Sequence, residues 1–442
     1  MNKIKKFIFP IKVVILLVIN ICYYEIIFSQ DINYAREIID TLCSEYMSGR
    51  GYVNNGHIKA SDYITGEFRR MELDSLSDSY LQYFQISVNS FPDNISVKIN
   101  DNELVSGEDF IIGSSSPSIK GTFESIYLEK HTFEDSNKLS NFLTNLSDKF
   151  IVIDLSEFKN SKNKSNNTIK KFIEFLINTD TYNYKGLIII NDKKLTWNNA
   201  GYCVRKPFVE ILKTAIKNKI NSITVEIENK YIQNQKTQNV ICKISGKTNP
   251  DSLIVFTAHY DHLGKMGKAT IFPGANDNAS GIAMLLNLAG YYSVKENQPD
   301  YSIVFIALGA EEIGLLGSKY FTENPLIALD KIRFLINFDL AGTGDEGIQV
   351  VNGTIFKKEF GLLQNINNEK EFLPQVKIRG ESCNSDHCMF YKKNVPCFFI
   401  YTLGGIKAYH DIYDRPETLP LTKFNEYFKL IVEFVDALCA SE

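Results

Sequence analysis

The sequence predicts an α/β fold: a mostly parallel central sheet flanked by helices, interrupted by an inserted β-rich domain. Three observations lead there. From about residue 236 onward, apolar runs of strand length alternate with helical stretches. That alternation produces parallel strands joined by crossovers that cover both sheet faces. Between about 86 and 235 the text changes to short strand-like runs separated by Gly-, Ser-, Pro- and Asn-rich turns. Before that stretch the chain is helical. We therefore expect one α/β domain from 30–85 and 236–442, with 86–235 as the insert and 1–29 as a separate leader.

The leader reads MNKIKKFIFPIKVVILLVINICYYEIIFSQ. Lys3, Lys5 and Lys6 form a basic start, and Val13–Tyr24 is apolar over a length that suits a signal peptide better than a membrane span. Ser29 is a small residue at a plausible cleavage point. Cys22 follows Ile21, which is too large for a lipid-attachment site. An exported protein, periplasmic or extracellular, is expected. Nothing later in the chain reads as membrane-spanning.

Residues 31–75 carry apolar positions at helical spacing, Ile38, Ile39, Leu42 and Tyr46, then Ile64, Phe68 and Met71. The turn SGRGYVNNG divides two helices. In the insert, Ile95–Ile99 alternates, while FIVIDL (150–155) and GLIIIN (186–191) read as buried strands. The polar stretch KNSKNKSNNT (159–168) reads as a solvated loop. Beyond 236, strands are expected at Val240–Ile244, Leu253–Thr257, Ile303–Leu308 and Phe334–Phe338. Helices are expected at Ser280–Tyr292, with Ser280 as N-cap, and through Leu315–Phe321. No internal repeat is present.

The 442 residues are 44% hydrophobic and 23% charged, with a net charge of −4. Loss of the leader removes four lysines and one glutamate and leaves −7. No Lys/Arg block with interleaved aromatics exists, which argues against a nucleic-acid partner. Seven of the eight cysteines lie beyond the leader, so they cannot all pair within one chain. None has the paired spacing of a CxxC metal site. Oligomeric state is not legible.

In open α/β sheets, ligands sit outside the carboxyl ends of the strands. The strand at 253–257 runs out into FTAHYDHLG, delivering His259, Asp261 and His262. The strand at 303–308 runs into GAEEIG, with Glu311 and Glu312. The strand at 334–338 ends at Asp339. PGANDNASG places Asp277 just before a helix, and YHDIYD supplies His410, Asp411 and Asp414. Each alone has an ordinary structural reading, as a solvated glutamate pair, a helix cap or a surface histidine. Together, imidazoles and carboxylates at the strand ends of one sheet are what a dinuclear metal site needs. Zinc takes both donor types. Two ions about 3.5–4 Å apart need a bridging anion, and a further carboxylate off the metals can take the proton of the attacking water. Manganese or cobalt could use the same donors.

The ordered set AHYDHLG, GANDNASG, GAEEIGLLGS, NFDLAG, SDH and YHDIYD, with LCSEYMSGRG near the start, resembles the family-28 zinc metallopeptidases, which include bacterial leucyl aminopeptidase. The resemblance covers about 31–85 and 236–442; the middle section is similar only in that some relatives carry a protease-associated insert. It implies a zinc aminopeptidase/phosphorylase-hydrolase-like fold and an aminopeptidase acting on peptide or protein N-termini. It also implies two zinc ions per chain. Asp277 would bridge them, His259 and Asp339 would complete one site, and Glu312 and His410 the other. Glu311 would be the general base. Asp261 would hold His259 in its ligating tautomer. His262 and His387 are not ligands in this scheme. The resemblance further implies a cis peptide at Asp277–Asn278 and a short-range Cys383–Cys388 disulfide. Two competitors share the fold: a single-zinc glutaminyl cyclase, and a metal-free binding module. The full ligand set and the base favour the hydrolase.

Overall fold

The computed structural model describes residues 31–158 and 164–440. The expected export segment, Cys22 included, lies outside the described residues. Among the described residues no helix is long and apolar enough to cross a membrane.

The first sheet has eight strands: β1 (Leu81–Ser90), β2 (Lys230–Ile244), β3 (Asn249–His259), β4 (Tyr301–Leu308), β5 (Ile332–Phe338), β6 (Ile348–Val351), β7 (Val376–Ile378) and β8 (Cys397–Thr402). Their spatial order is β1-β2-β4-β3-β5-β8-β6-β7. The central run β4-β3-β5-β8 is parallel. Antiparallel pairs β1/β2 and β2/β4 extend one side, and β8 pairs antiparallel with β6 on the other.

Helices α1 (Ile32–Leu42), α2 (Gly56–Arg70), α3 (Ser280–Ser293), α4 (Lys357–Lys370) and α5 (Phe424–Ala440) share one core with this sheet. Successive strand residues point to opposite faces, and β3 shows it. Ile254, Phe256 and Ala258 join that helical core, whereas Leu253 and Val255 join a second cluster with Phe321 and Phe390 on the other face. Both faces are thus covered, and the apolar runs of the sequence are continuous rather than alternating for that reason.

The second sheet also has eight strands and lies within residues 95–227. Ile119–Tyr127, Phe150–Asp154, Gly186–Asn191 and Phe208–Leu212 run parallel in succession. One face is covered by helices at 136–144 and 164–178 through Leu143, Ile169, Ile173, Leu176 and Ile177. The other packs on Leu263, Met266, Phe272 and Ile412 of the first unit. The expected β-rich insert therefore carries helices as well.

Two local expectations are corrected. The stretch 159–168 was expected to be a loop, but the chain is helical from Lys164 to Asn178; residues 159–163 lie outside the described residues. The period that matters begins at Ile169 and continues at Ile173, Leu176 and Ile177, the i, i+4, i+7, i+8 stripe of a packed helix, and the polar text before it hides the start. Ser280 is not the cap of α3. Its hydroxyl donates back to Asn276 O (2.7 Å) and accepts from Ala341 N (2.8 Å), while Asn278 Oδ1 accepts from Gly281 N (3.0 Å). A wide turn over Ala275–Ala279, closed by Ala279 N–H to Gly274 O (3.2 Å) and extended at Asp277, precedes α3, so the capping oxygen comes from two residues earlier.

Candidate metal centre

Three adjacent parallel strands deliver the site. His259 ends β3 opposite Leu308 of β4, Glu311 and Glu312 follow β4, and Asp339 follows β5. Asp277 enters from the turn before α3. Its peptide bond to Asn278 is cis. His410 arrives on the loop between β8 and α5, in a left-handed backbone conformation (φ +53°).

Asp277 stands at the middle. Its Oδ1 lies 3.3 Å from His259 Nε2 and its Oδ2 lies 3.1 Å from His410 Nε2. His259 Nε2 is also 3.6 Å from Asp339 Oδ1, and His410 Nε2 is 3.3 Å from Glu312 Oε2. The opposite ring nitrogens are engaged elsewhere. His259 Nδ1 lies 3.1 Å from Asp261 O, and His410 Nδ1 lies 3.0 Å from Trp197 O and 2.9 Å from Asn198 Oδ1. A carbonyl can only accept, so both rings carry the proton on Nδ1 and turn Nε2 to the carboxylates.

The surrounding side chains hold this arrangement. Asp261 does so at two points. Its carboxylate accepts from the backbone N–H groups of Glu311 (3.0 Å) and Glu312 (3.3 Å), and it is the Asp261 carbonyl that fixes His259. His262 Nδ1 is 2.7 Å from Glu312 Oε1. Ser385 donates to Asp339 Oδ2 (2.8 Å) and accepts from Asn337 (2.8 Å). Asp414 accepts from the N–H groups of Asn276 (2.8 Å) and Asp277 (3.0 Å). Asp411 pairs with Lys194. Ser385 sits within a loop closed by a Cys383–Cys388 disulfide; five free cysteines remain among the described residues.

Beneath the site lies Arg50, fully buried. Its guanidinium donates to five carbonyls: Tyr260 (2.8 Å), Leu42 (3.1 Å), Pro273 (2.7 Å), Gly274 (2.7 Å) and Asp277 (3.3 Å). Gly51 beside it packs so closely that a Cβ there would lie 2.5 Å from Gly264 Cα.

Buried charge is the electrostatic theme. Desolvation opposes ionisation of every group here. His259 is nevertheless held well above the usual histidine range by Glu311, Asp339 and Asp277, and His410 is raised to about 11 by Glu312 and Asp277. Against the same burial, the imidazoles hold Asp277 well below the carboxylate range, and His410 and His262 bring Glu312 to about 2. Glu311 goes the other way: burial, then Glu312, Asp386 and Asp339, push it well up against the pull of His259. Burial also raises Asp261 to about 7 and Asp386 to about 6.

So many buried carboxylates call for cations. His259, Asp277 and Asp339 offer donor atoms within 4.8 Å of one another, and so do His262, Asp277 and Glu312. Imidazole nitrogen and carboxylate oxygen are zinc donors, so the residues present fit the expected ions. For the second group His410 Nε2 is the better nitrogen, because it faces Asp277 Oδ2 and Glu312 Oε2 together, whereas His262 Nδ1 meets the other oxygen of Glu312.

A cavity of about 220 Å³ opens over these groups, lined by His259, Glu311, Asp339, Asn384, Phe399 and Tyr409 among others. Tyr409 stacks on His410 with ring centroids 4.0 Å apart and planes at 14°. Tyr409, Asn198, Ser385 and Asn384 were absent from the sequence-derived set. Tyr409 is adjacent to His410 and within reach of a sequence argument; Asn198 lies more than 200 positions away and had no such marker.

His387 lies outside the ligand cluster. It is buried, with Nε2 2.8 Å from Ser382 O, and burial pushes its imidazole down from the usual 6.5 to about 4. The unfolded chain then binds a proton that the folded chain refuses, so this residue costs stability as pH falls from about 6.5 to about 4. Wild type should lose up to about 3 kcal/mol relative to His387→Gln across that window, read by denaturant melts at several pH values. Asp386 titrates with opposite sign, so the difference between the two proteins is the informative quantity.

Residues 239–435 match the peptidase family M28. The chain is 34% identical to the aminopeptidase YwaD of Bacillus subtilis (strain 168) over 177 residues, 38% of this chain and 37% of that protein. It is 34% identical to a probable zinc metalloprotease of Pyricularia oryzae over 116 residues, 25% of this chain and 23% of that one. The matched stretch thus spans well under half of these curated relatives. Among solved structures, the fold is similar to BSAP, a zinc aminopeptidase from Bacillus subtilis (TM-score 0.67, 20% identity, 91% of this chain and 93% of that one). It is also similar to a peptidase M28 precursor from Shewanella amazonensis SB2B (TM-score 0.68, 16% identity, 92% and 93%).

Proposed function

Given that the chain belongs, through residues 239–435, to peptidase family M28, we propose that it is an exported zinc-dependent aminopeptidase with two metal positions. One observation carries the reading: the two oxygens of Asp277 face the Nε2 atoms of two different histidines, each held at Nδ1 by a carbonyl so that Nε2 is turned to the carboxylates. His259, Asp277 and Asp339 would hold one zinc, and Asp277, Glu312 and His410 the other. His262 and Ser385 orient Glu312 and Asp339 from behind, as outer partners of metal ligands do. The ions would supply Lewis acidity and acidify water.

The remaining chemistry belongs to the chain. Glu311 takes the proton of the attacking water at its carboxylate, a C–O bond forms at the scissile carbonyl, and the same carboxyl returns the proton to the departing amine as the C–N bond breaks. Asp261 fixes the backbone of Glu311 and Glu312 so that one side chain meets the cavity as base while its neighbour serves as ligand. The cavity is small and bordered by carboxylates, which suits a cationic α-amino end and one residue rather than an extended peptide. Export rests on the reading of residues 1–29 and agrees with a Cys383–Cys388 disulfide, since such bonds persist in oxidising compartments. We place the insert between β1 and β2, inside the expected 86–235, and the hydrolase domain on either side of it.

Unblocked aminoacyl reporters should be hydrolysed, activity should vanish with chelator and return with zinc, and N-acetylated peptides should resist. Rapid turnover of N-acetylated peptides overturns the exopeptidase reading. Cyclisation of glutamine-led peptides without hydrolysis would replace it by the cyclase.

A further inference from the structure

The loop 194–200 belongs to the inserted unit, yet it closes around His410 on the other unit. Trp197 N–H donates to His410 O (2.9 Å), and His410 Nδ1 returns a bond to Trp197 O (3.0 Å) and to Asn198 Oδ1 (2.9 Å). Lys194 donates to Lys407 O (2.8 Å) and pairs with Asp411, while Asn199 donates to His262 O (3.4 Å). Trp197 is the bolt. It is buried, stacks on Phe272 of the first unit with ring centroids 4.9 Å apart, and gives its indole N–H to Ile112 O inside the insert (2.8 Å). The corresponding outer partner of His259 is the carbonyl of Asp261, two residues away on its own strand end.

The two imidazoles are therefore held by different parts of the molecule. We propose that Asn198 is a positioning residue through which the inserted unit sets the zinc affinity of the His410 position and leaves the His259 position alone. This rests on the dinuclear reading above. The physical ground is that an acceptor on Nδ1–H fixes the ring's orientation and raises the basicity of Nε2, and removal of such a partner typically costs 10–100-fold in metal affinity. Trp197 O remains as a second acceptor when Asn198 is lost, so the effect falls at the low end of that range. The insert then acts as part of the metal site rather than as a cover on it.

The test uses the full chain, freed of metal by chelation, with zinc alone as probe. Isothermal titration should give two binding steps for wild type. Asn198→Ala should weaken one step about tenfold and leave the other unchanged, and the weakened step should be the one that His410→Ala abolishes. Asn198→Asp should restore or tighten it, because a carboxylate is the stronger acceptor for Nδ1–H. The metal-free melting temperature of each variant reports a merely structural role, which would move both steps together. Two steps left alike by Asn198→Ala, or both weakened equally, overturn the inference alone. A wild type that takes up fewer than two ions overturns the dinuclear reading and this inference with it. Should the alanine variant fail to fold, Asn198→Asp still decides: a step weakened by the stronger acceptor contradicts the proposal.

Discussion

Glu311→Gln should lower kcat by about 10²–10⁴-fold while zinc content and melting temperature stay at wild-type values. Glutamine keeps the volume and one acceptor oxygen but cannot take a proton at neutral pH. Glu311 is the right residue for this test because its structural connection runs through its backbone, whose N–H is held by Asp261 at 3.0 Å, while its side chain lines the cavity. A change at Glu312 would confound loss of a base with loss of a ligand, since Glu312 Oε2 faces His410 and Oε1 faces His262. The measurement is steady-state hydrolysis of an unblocked reporter by metal-loaded enzyme, with zinc counted in the same sample. A loaded Glu311→Gln enzyme within tenfold of wild type would remove Glu311 from the reaction.

Arg50→Met should be the most damaging substitution for stability. The side chain is fully buried and satisfies carbonyls from α1, from the strand end at Tyr260 and from the turn that carries Asp277. Methionine fills much of the space and takes the guanidinium donors away from these carbonyls, of which Gly274 O keeps a bond from Ala279 N–H (3.2 Å). An unsatisfied buried polar group costs about 1–3 kcal/mol. Several together bring the loss to roughly 4 kcal/mol or more, a large share of the 5–15 kcal/mol that holds a typical domain together. The variant should melt about 10 °C lower or fail to accumulate. Arg333→Met is the control, because Arg333 meets Glu359 only at 3.8 Å near the surface and should change stability by less than about 1 kcal/mol. Equal melting of Arg50→Met and wild type would show that water reaches those carbonyls.

The strand ends explain why so much of the candidate site is legible in the text. His259, Glu311, Glu312 and Asp339 each follow an apolar run directly, and the carboxyl edge of a parallel sheet gathers such residues wherever the strands are adjacent. Local patterning therefore determined the α/β class, the strand ends and the chemical types collected there. What the pattern did not determine is which group faces which. Asp261 reaches His259 Nδ1 through its backbone carbonyl at 3.1 Å, while its carboxylate, 3.9 Å from the same nitrogen, accepts from two backbone amides.

The C-terminal strands β6, β7 and β8 were not anticipated, and the helix from Lys164 was hidden by the polar residues at its start. Tertiary structure alone decided the long-range outer partners. Trp197 and Asn198 reach His410 across more than 200 positions, and Ser385 reaches Asp339 across 46. Hydrogen-bond partners of buried polar groups are chosen by proximity after packing, and a short-range pattern holds no record of them. The candidate residues at the strand ends were thus legible in the sequence, while the long-range partners that orient them exist as a set only once two sheets have packed against each other.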